Sequence, residues 1–255
     1  MTRPLSPDLN LLATLPQLEP GLQPLDGPVL MIGPCLPAPR LGAASAHPSL
    51  DVLPADGLRV YVSLGTVMNG KPRIYEQILD GLAVLDASVV VSAGTSLRRL
   101  SERRRARTWL FERVPQVALL PQVDLVVTHG GNNTVQECLA LGKPMLMVPF
   151  GGDQIENAAR VERLGVGEAL NPTRLDREQV RDAAVRVVAA SQLRSRALAT
   201  SLGGTDGARD GATAVLDFLG ERTRRRAALA HALRKDDALD DLVGEPPLPP
   251  PEFSL

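Results

Sequence analysis

Residues 124–154 constrain this chain more than any other stretch. Leu125, Val126 and Val127 form a short apolar run that predicts a buried strand. His129, Gly130, Gly131, Asn132, Asn133 and Thr134 follow as a turn, and Val135, Cys138, Leu139 and Leu141 then recur with helical spacing. Gly142 stops that helix. Lys143 and Pro144 lead to a second apolar run over 145–148, and Gly151, Gly152, Asp153 and Gln154 open the next turn. Strand, glycine turn, helix, strand is a βαβ unit. Its helix begins with N–H groups that have no partner inside the helix and with the positive end of the helix dipole. Such an end takes phosphate readily, and here it carries a His, two Asn and a Thr.

The flanking chain extends the same alternation. Residues 60–64 predict a strand, 73–85 an amphipathic helix, 88–92 a strand, 109–111 a short strand and 116–120 a small helix. After the central unit, 155–164 reads as a helix ended by Gly165 and 167–170 as a last short strand. Residues 176–190, 192–202 and 208–219 read as three helices. Strands and helices alternating at these lengths predict an α/β fold, a Rossmann-like parallel sheet with helices on both faces. The domain boundaries follow: 1–57 as a leader, 58–205 as the Rossmann-like domain, and 206–255 as C-terminal helices with a disordered Pro-rich tail. The leader holds eleven prolines and no sustained period, apart from possible edge strands at 9–12 and 29–32; residues 34–54 read as a linker. Arg98, Arg99, Arg103, Arg104, Arg105 and Arg107 read as a solvated helix and loop.

Composition removes several function classes. A net charge of −1 gives nucleic acid or an anionic membrane no electrostatic hold, and 3% aromatic residues leave few stacking platforms. Two cysteines far apart, Cys35 and Cys138, support neither a disulfide framework nor a zinc site. No apolar run reaches the roughly 20 residues of a membrane span, and no signal peptide is visible, so a cytoplasmic location is expected.

In a doubly wound sheet, ligands sit at the carboxyl ends of the strands. Three turns fall there: 63–66 with its hydroxyls and Gly65, 129–134, and 151–154. Asn133 and Glu137 are four apart and share a helix face, so Glu137 lies one turn below the phosphate position, within reach of a sugar diol. Asp153 and Gln154 offer a carboxylate and an amide suited to sugar hydroxyls. Each has a plainer account: Thr66 as a turn residue, Asp153 as an N-cap for a helix starting at Gln154, Glu137 as a solvated side chain, His129 as a hydrogen-bonded core histidine. Their order along one domain favours a ligand site.

Ser63-Leu64-Gly65-Thr66, Val114-Pro115-Gln116, the run from His129 to Glu137 and Asp153-Gln154 resemble the signature of the UDP-glycosyltransferases, most closely the bacterial macrolide-type members. The resemblance covers 58–205 in order. In the leader, residues 7–36 look like the final part of that family's N-terminal domain and its linker. It implies the C-terminal, nucleotide-sugar-binding domain of a two-domain GT-B fold. By that resemblance Val114 and Gln116 line the uracil pocket and Glu137 holds the ribose. Thr66, His129, Gly131, Asn133 and Thr134 hold the diphosphate, and Asp153 and Gln154 bind the donor sugar. The family inverts the anomeric centre, and the resemblance implies no metal and no cofactor beyond a UDP-sugar or dTDP-sugar substrate. Many members stack a tryptophan on the base where this chain has Arg113, which leaves UDP and dTDP both open.

The family's catalytic base is a histidine near the start of the N-terminal domain. His47 lies in the linker and His231 in the tail, so the base and acceptor pocket are expected outside this chain. The expectation is a hexosyltransferase's donor-binding half, with His129 stabilising the leaving group and a small lipophilic, hydroxylated acceptor. The alternatives are one subunit of a split enzyme with a separate acceptor-domain protein, or a non-catalytic nucleotide-sugar-binding remnant. A sugar-nucleotide epimerase on the same fold is disfavoured by Asp153-Gln154.

Overall fold

The structure is a computed structural model that describes residues 6, 8–19, 29–36, 47–65, 70–103, 105–203 and 206–240. They fall into two compact units, Met1–Ala208 and Arg209–Leu255. The first unit begins with two short strands, β1 (Asn10–Leu12) and β2 (Val29–Met31), paired in parallel with Asn10 opposite Val29. The main alternation follows: β3 (Arg59–Ser63), α1 (Pro72–Ala83), β4 (Ser88–Ser92), α2 (Leu97–Leu100), β5 (Thr108–Phe111), α3 (Gln116–Leu119), β6 (Leu125–Thr128), α4 (Asn132–Ala140), β7 (Met145–Met147), α5 (Asp153–Leu164), β8 (Gly167–Ala169) and α6 (Arg177–Ser201). A final helix, α7 (Gly207–Asp240), supplies from Arg209 onward the described part of the second unit.

β3 to β8 form one parallel sheet in the order β5-β4-β3-β6-β7-β8. This is the doubly wound arrangement: the chain works outward from β3 to one edge, then crosses to β6 and works outward to the other. The central strands are apolar and buried through their middles, at 60–62, 89–91 and 125–127, because helices cover both faces. On one face Val60, Val62 and Leu64 pack with Tyr75, Ile78, Leu79 and Leu82 of α1 and with Val180, Ala183, Ala184 and Val187 of α6. On the other, Tyr61, Val90 and Val126 meet Val135, Cys138 and Leu139 of α4 and Ala158 and Val161 of α5.

Four local readings change. The leader is not loose where it is described: Leu15 and Leu18 are buried in the second core, and Gln136 donates from Nε2 to the Ala13 carbonyl. Glu19 also pairs with Arg160 of α5 at 2.9 Å. Arg177–Ser201 is one helix of 25 residues rather than two, since Ser191 is buried on its packed side and nothing there breaks the pattern. α7 runs straight through Gly220 for 34 residues. The Arg-rich segment is only partly solvated, for the side chain of Arg105 is 5% exposed and Asp80 takes hydrogen bonds from both Arg105 Nε (3.0 Å) and Arg103 (2.8 Å). The disordered-tail expectation for 241–255, like Arg104, lies outside the described residues.

Candidate functional site

The carboxyl ends of β3 and β6 are neighbours, with Ser63 opposite Thr128, and the chain departs from them in opposite directions. A crevice must open at that switch point. It is a cleft of about 660 Å³. Its lining includes Gly65 after β3, Ser92 at the end of β4 and Gly94 after it, Arg113, Val114 and Gln116 after β5, and His129, Gly131, Asn133, Thr134 and Glu137 from the turn and helix after β6.

His129 is seated by glycine on two sides. A Cβ placed on Gly65 would lie 2.6 Å from its Nε2, and one placed on Gly131 would lie 2.7 Å from the same atom. Gly65 also holds φ +83°, which an L side chain resists. The turn beneath the ring is tied down as well. Thr128 Oγ1 lies 3.4 Å from His129 Nδ1 and accepts from the Gly130 N–H, while buried Asn157 of α5 donates to the Gly130 carbonyl at 3.0 Å. Burial pushes the His129 pKa below its ordinary value, and the nearby Asp153 carboxylate opposes that only in part.

α4 starts directly beside this ring. Its N-cap is Gly131, which contributes no side chain, and its first turn holds no acid. The N–H groups of that turn and the positive dipole end are thus left for a ligand. One turn on, Gln116 Nε2 donates to Thr134 Oγ1 at 3.1 Å and to Glu137 Oε2, which orients the carboxylate along the cleft. Burial raises the Glu137 pKa, and the Gln116 amide counters it.

Val114, Gln116, His129, Gly131, Asn133, Thr134 and Glu137 are therefore brought to one cleft. Asp153 and Gln154 are not in its lining; they form the first turn of α5. Asp153 is the first helical residue rather than the N-cap, which is Gly152 at φ +60°. Gln154 has already committed Oε1 to the Phe150 N–H at 2.8 Å, so its amide N–H groups remain for a ligand. Thr66 falls outside the described residues. The cleft also takes in Tyr61, Ser92, Gly94, Thr95 and Glu112, which the motif reading passed over. Their signal was positional, since most sit at or just past the end of a strand next to the switch point. Among the described residues no group of three or more His, Cys, Asp or Glu is placed to hold a metal ion, and no helix is long and apolar enough to cross a membrane.

Comparison with known proteins points the same way. Residues 53–202 match the family model described as UDP-glucoronosyl and UDP-glucosyl transferase. The chain is similar to 4'-demethylrebeccamycin synthase of Lentzea aerocolonigenes, 33% identical over 215 residues that cover 84% of this chain and 50% of the relative. Among solved structures it resembles the calicheamicin glycosyltransferase CalG4, at TM-score 0.71 and 25% identity over 84% of this chain and 54% of that one. The glycotransferase of kitacinnamycin gives the same TM-score and identity over 83% and 55%. The chain spans about half the length of the curated relatives it matches.

Proposed function

The chain belongs to the UDP-glucoronosyl and UDP-glucosyl transferase family, and on that premise we propose that it is the donor-binding half of a hexosyltransferase. The donor is a UDP-sugar or dTDP-sugar and the acceptor a hydroxyl of a small lipophilic molecule. The observation that carries the reading is the convergence of three parts on one cleft: the uncapped start of α4, the glycine-seated His129 and the Gln116–Glu137 pair. Diphosphate suits the first two, and a ribose diol suits the carboxylate.

Val114 and Arg113 then border the base, with the planar guanidinium of Arg113 available to stack on it. Asn133 and Thr134 meet the phosphates beside Gly131. Asp153 and the free amide of Gln154 take hydroxyls of the donor sugar. In transfer, the acceptor oxygen attacks the anomeric carbon from the face opposite the diphosphate, and the bond from that carbon to the diphosphate oxygen breaks. The configuration inverts without a metal. The charge left on the diphosphate is met by the α4 dipole and His129. The acceptor proton passes to a general base supplied from outside these residues.

A second reading keeps the same chemistry and has a separate protein supply the acceptor site and base. A non-catalytic nucleotide-sugar-binding role is what remains if no such segment or partner restores transfer. Titration calorimetry tests the shared premise: the purified chain binds UDP or dTDP, and the better of the two identifies the base. Absence of heat with both overturns the donor-site assignment.

A further inference from the structure

We propose that Tyr75, a residue of α1 outside the cleft, is a positioning residue for the diphosphate site, acting through Leu64 and Gly65 on the seat of His129. The inference rests on the donor-site reading above. Tyr75 is 0% exposed and packed in the core shared by α1, α6 and the sheet. Its hydroxyl nevertheless reaches the end of the sheet, where it accepts from the Leu64 N–H at 3.2 Å and donates to the Ser92 carbonyl at 3.0 Å. Burial raises its pKa to about 12, so it stays a neutral hydroxyl able to do both at working pH.

The register shows what that hydroxyl replaces. β3 and β4 are paired from Arg59 opposite Ser88 to Ser63 opposite Ser92, and the Ser88 N–H bonds the Leu58 carbonyl. In a parallel ladder the bonds recur every second residue. Continued past Ser63, that ladder would next join the Leu64 N–H directly to the Ser92 carbonyl. The phenol oxygen is interposed in this last rung, turning one N–H···O=C bond into N–H···O–H···O=C. It holds the two strand ends together while keeping them apart by the width of a hydroxyl. Ser63 and Ser92, on either side of the wedge, both line the cleft.

Gly65 is the next residue, and its backbone lies so close to the imidazole that even a methyl group would clash. Where Leu64 is held therefore decides where Gly65 stands and how His129 is seated. Removing the hydroxyl has two outcomes at the rung. Either two buried backbone groups lose their partner, or the strands close to form the direct bond. Both displace Gly65 against His129.

The test compares Tyr75→Phe with the unaltered protein by calorimetry, using UDP and uridine. Uridine carries the base and ribose but no phosphate. Tyr75→Phe is expected to weaken UDP about tenfold, the size of effect that one hydrogen bond's worth of misplacement gives, and to leave uridine unchanged. Equal loss of both ligands, or loss of neither, overturns the inference. Failure of the unaltered protein to bind UDP instead overturns the donor-site reading beneath it. Should the variant not fold, amide exchange in the unaltered protein decides. The Leu64 amide should exchange slowly and slow further with UDP; no change on UDP binding overturns the role of Tyr75.

Discussion

His129 shows how far a motif carries. The residue stood out in the sequence beside two glycines, but nothing there indicated that Gly65, 64 positions earlier, forms the other wall of its seat. That contact exists only because β3 and β6 are neighbours. The seat has an electrostatic consequence. Burial holds the free imidazole below its ordinary pKa of 6.5, and a bound diphosphate would raise it again, so donor affinity should grow as pH falls through that interval. Glu137 works in the opposite direction. Its free carboxyl is held above the ordinary 4.5, and ribose hydroxyls favour the ionised form, so affinity should fall as acid protonates it. A UDP-hexose has no terminal phosphate to titrate in this range, which makes it the right probe. Its affinity, measured by calorimetry from about pH 4 to about pH 8, should pass through a maximum between the two limbs. His129→Ala should remove the alkaline limb and weaken binding by about 1–3 kcal/mol, the cost of one charged hydrogen bond. Glu137→Gln should remove the acid limb. A flat profile in the unaltered protein would mean that neither group meets the ligand.

Helices and strands whose signals are local were legible in advance. The apolar runs of β3, β4 and β6, the amphipathic spacing of α1 and the Gly165 stop of α5 all sit where the pattern puts them. Gly165 adopts the left-handed conformation that ends a helix, and its N–H bonds back to Glu162. Errors arose where a local cue was overridden. Gly220 looked like a terminus, yet α7 continues through it because strong helix formers flank it and an added side chain there would meet nothing within 4 Å. Glycine in an exposed helix costs about 1 kcal/mol relative to alanine. Gly220→Ala should accordingly slow amide exchange across 216–224 by about fivefold and leave donor affinity untouched. Unchanged or faster exchange would show that α7 does not persist through this point in solution. Arg105 was missed for a different reason: its partner Asp80 is contributed by α1, 25 positions earlier, so the run of arginines alone reads as solvent-facing.

Fold class followed from the alternation of strands and helices, but strand order did not, because nothing local says that the chain crosses from β5 to β6 on the far side of β3. That crossover creates the cleft, so the same long-range fact hid both the sheet order and the completed site. The described leader segments were opaque for a related reason. Their prolines break every period, and the burial of Leu15 and Leu18 is set by α4 and α5 far along the chain. What the described residues assemble is one wall of a cleft, which the proposed function assigns to a nucleotide, and His129 and His47 stand differently to it. His129 is in the cleft, while His47 caps a short turn, accepting from the Ser49 N–H and packing edge-on to Phe111. His47 is thus occupied by a structural task, and on the proposed reading the base comes from outside these residues. The purified chain should therefore hold a UDP-hexose without consuming it. Incubation with labelled donor and a panel of hydroxylated aromatic acceptors should leave the donor intact. Adding a protein that carries an acceptor site and base should restore transfer. Turnover by the chain alone would mean that a base lies among these 255 residues and that the division of labour proposed here is wrong.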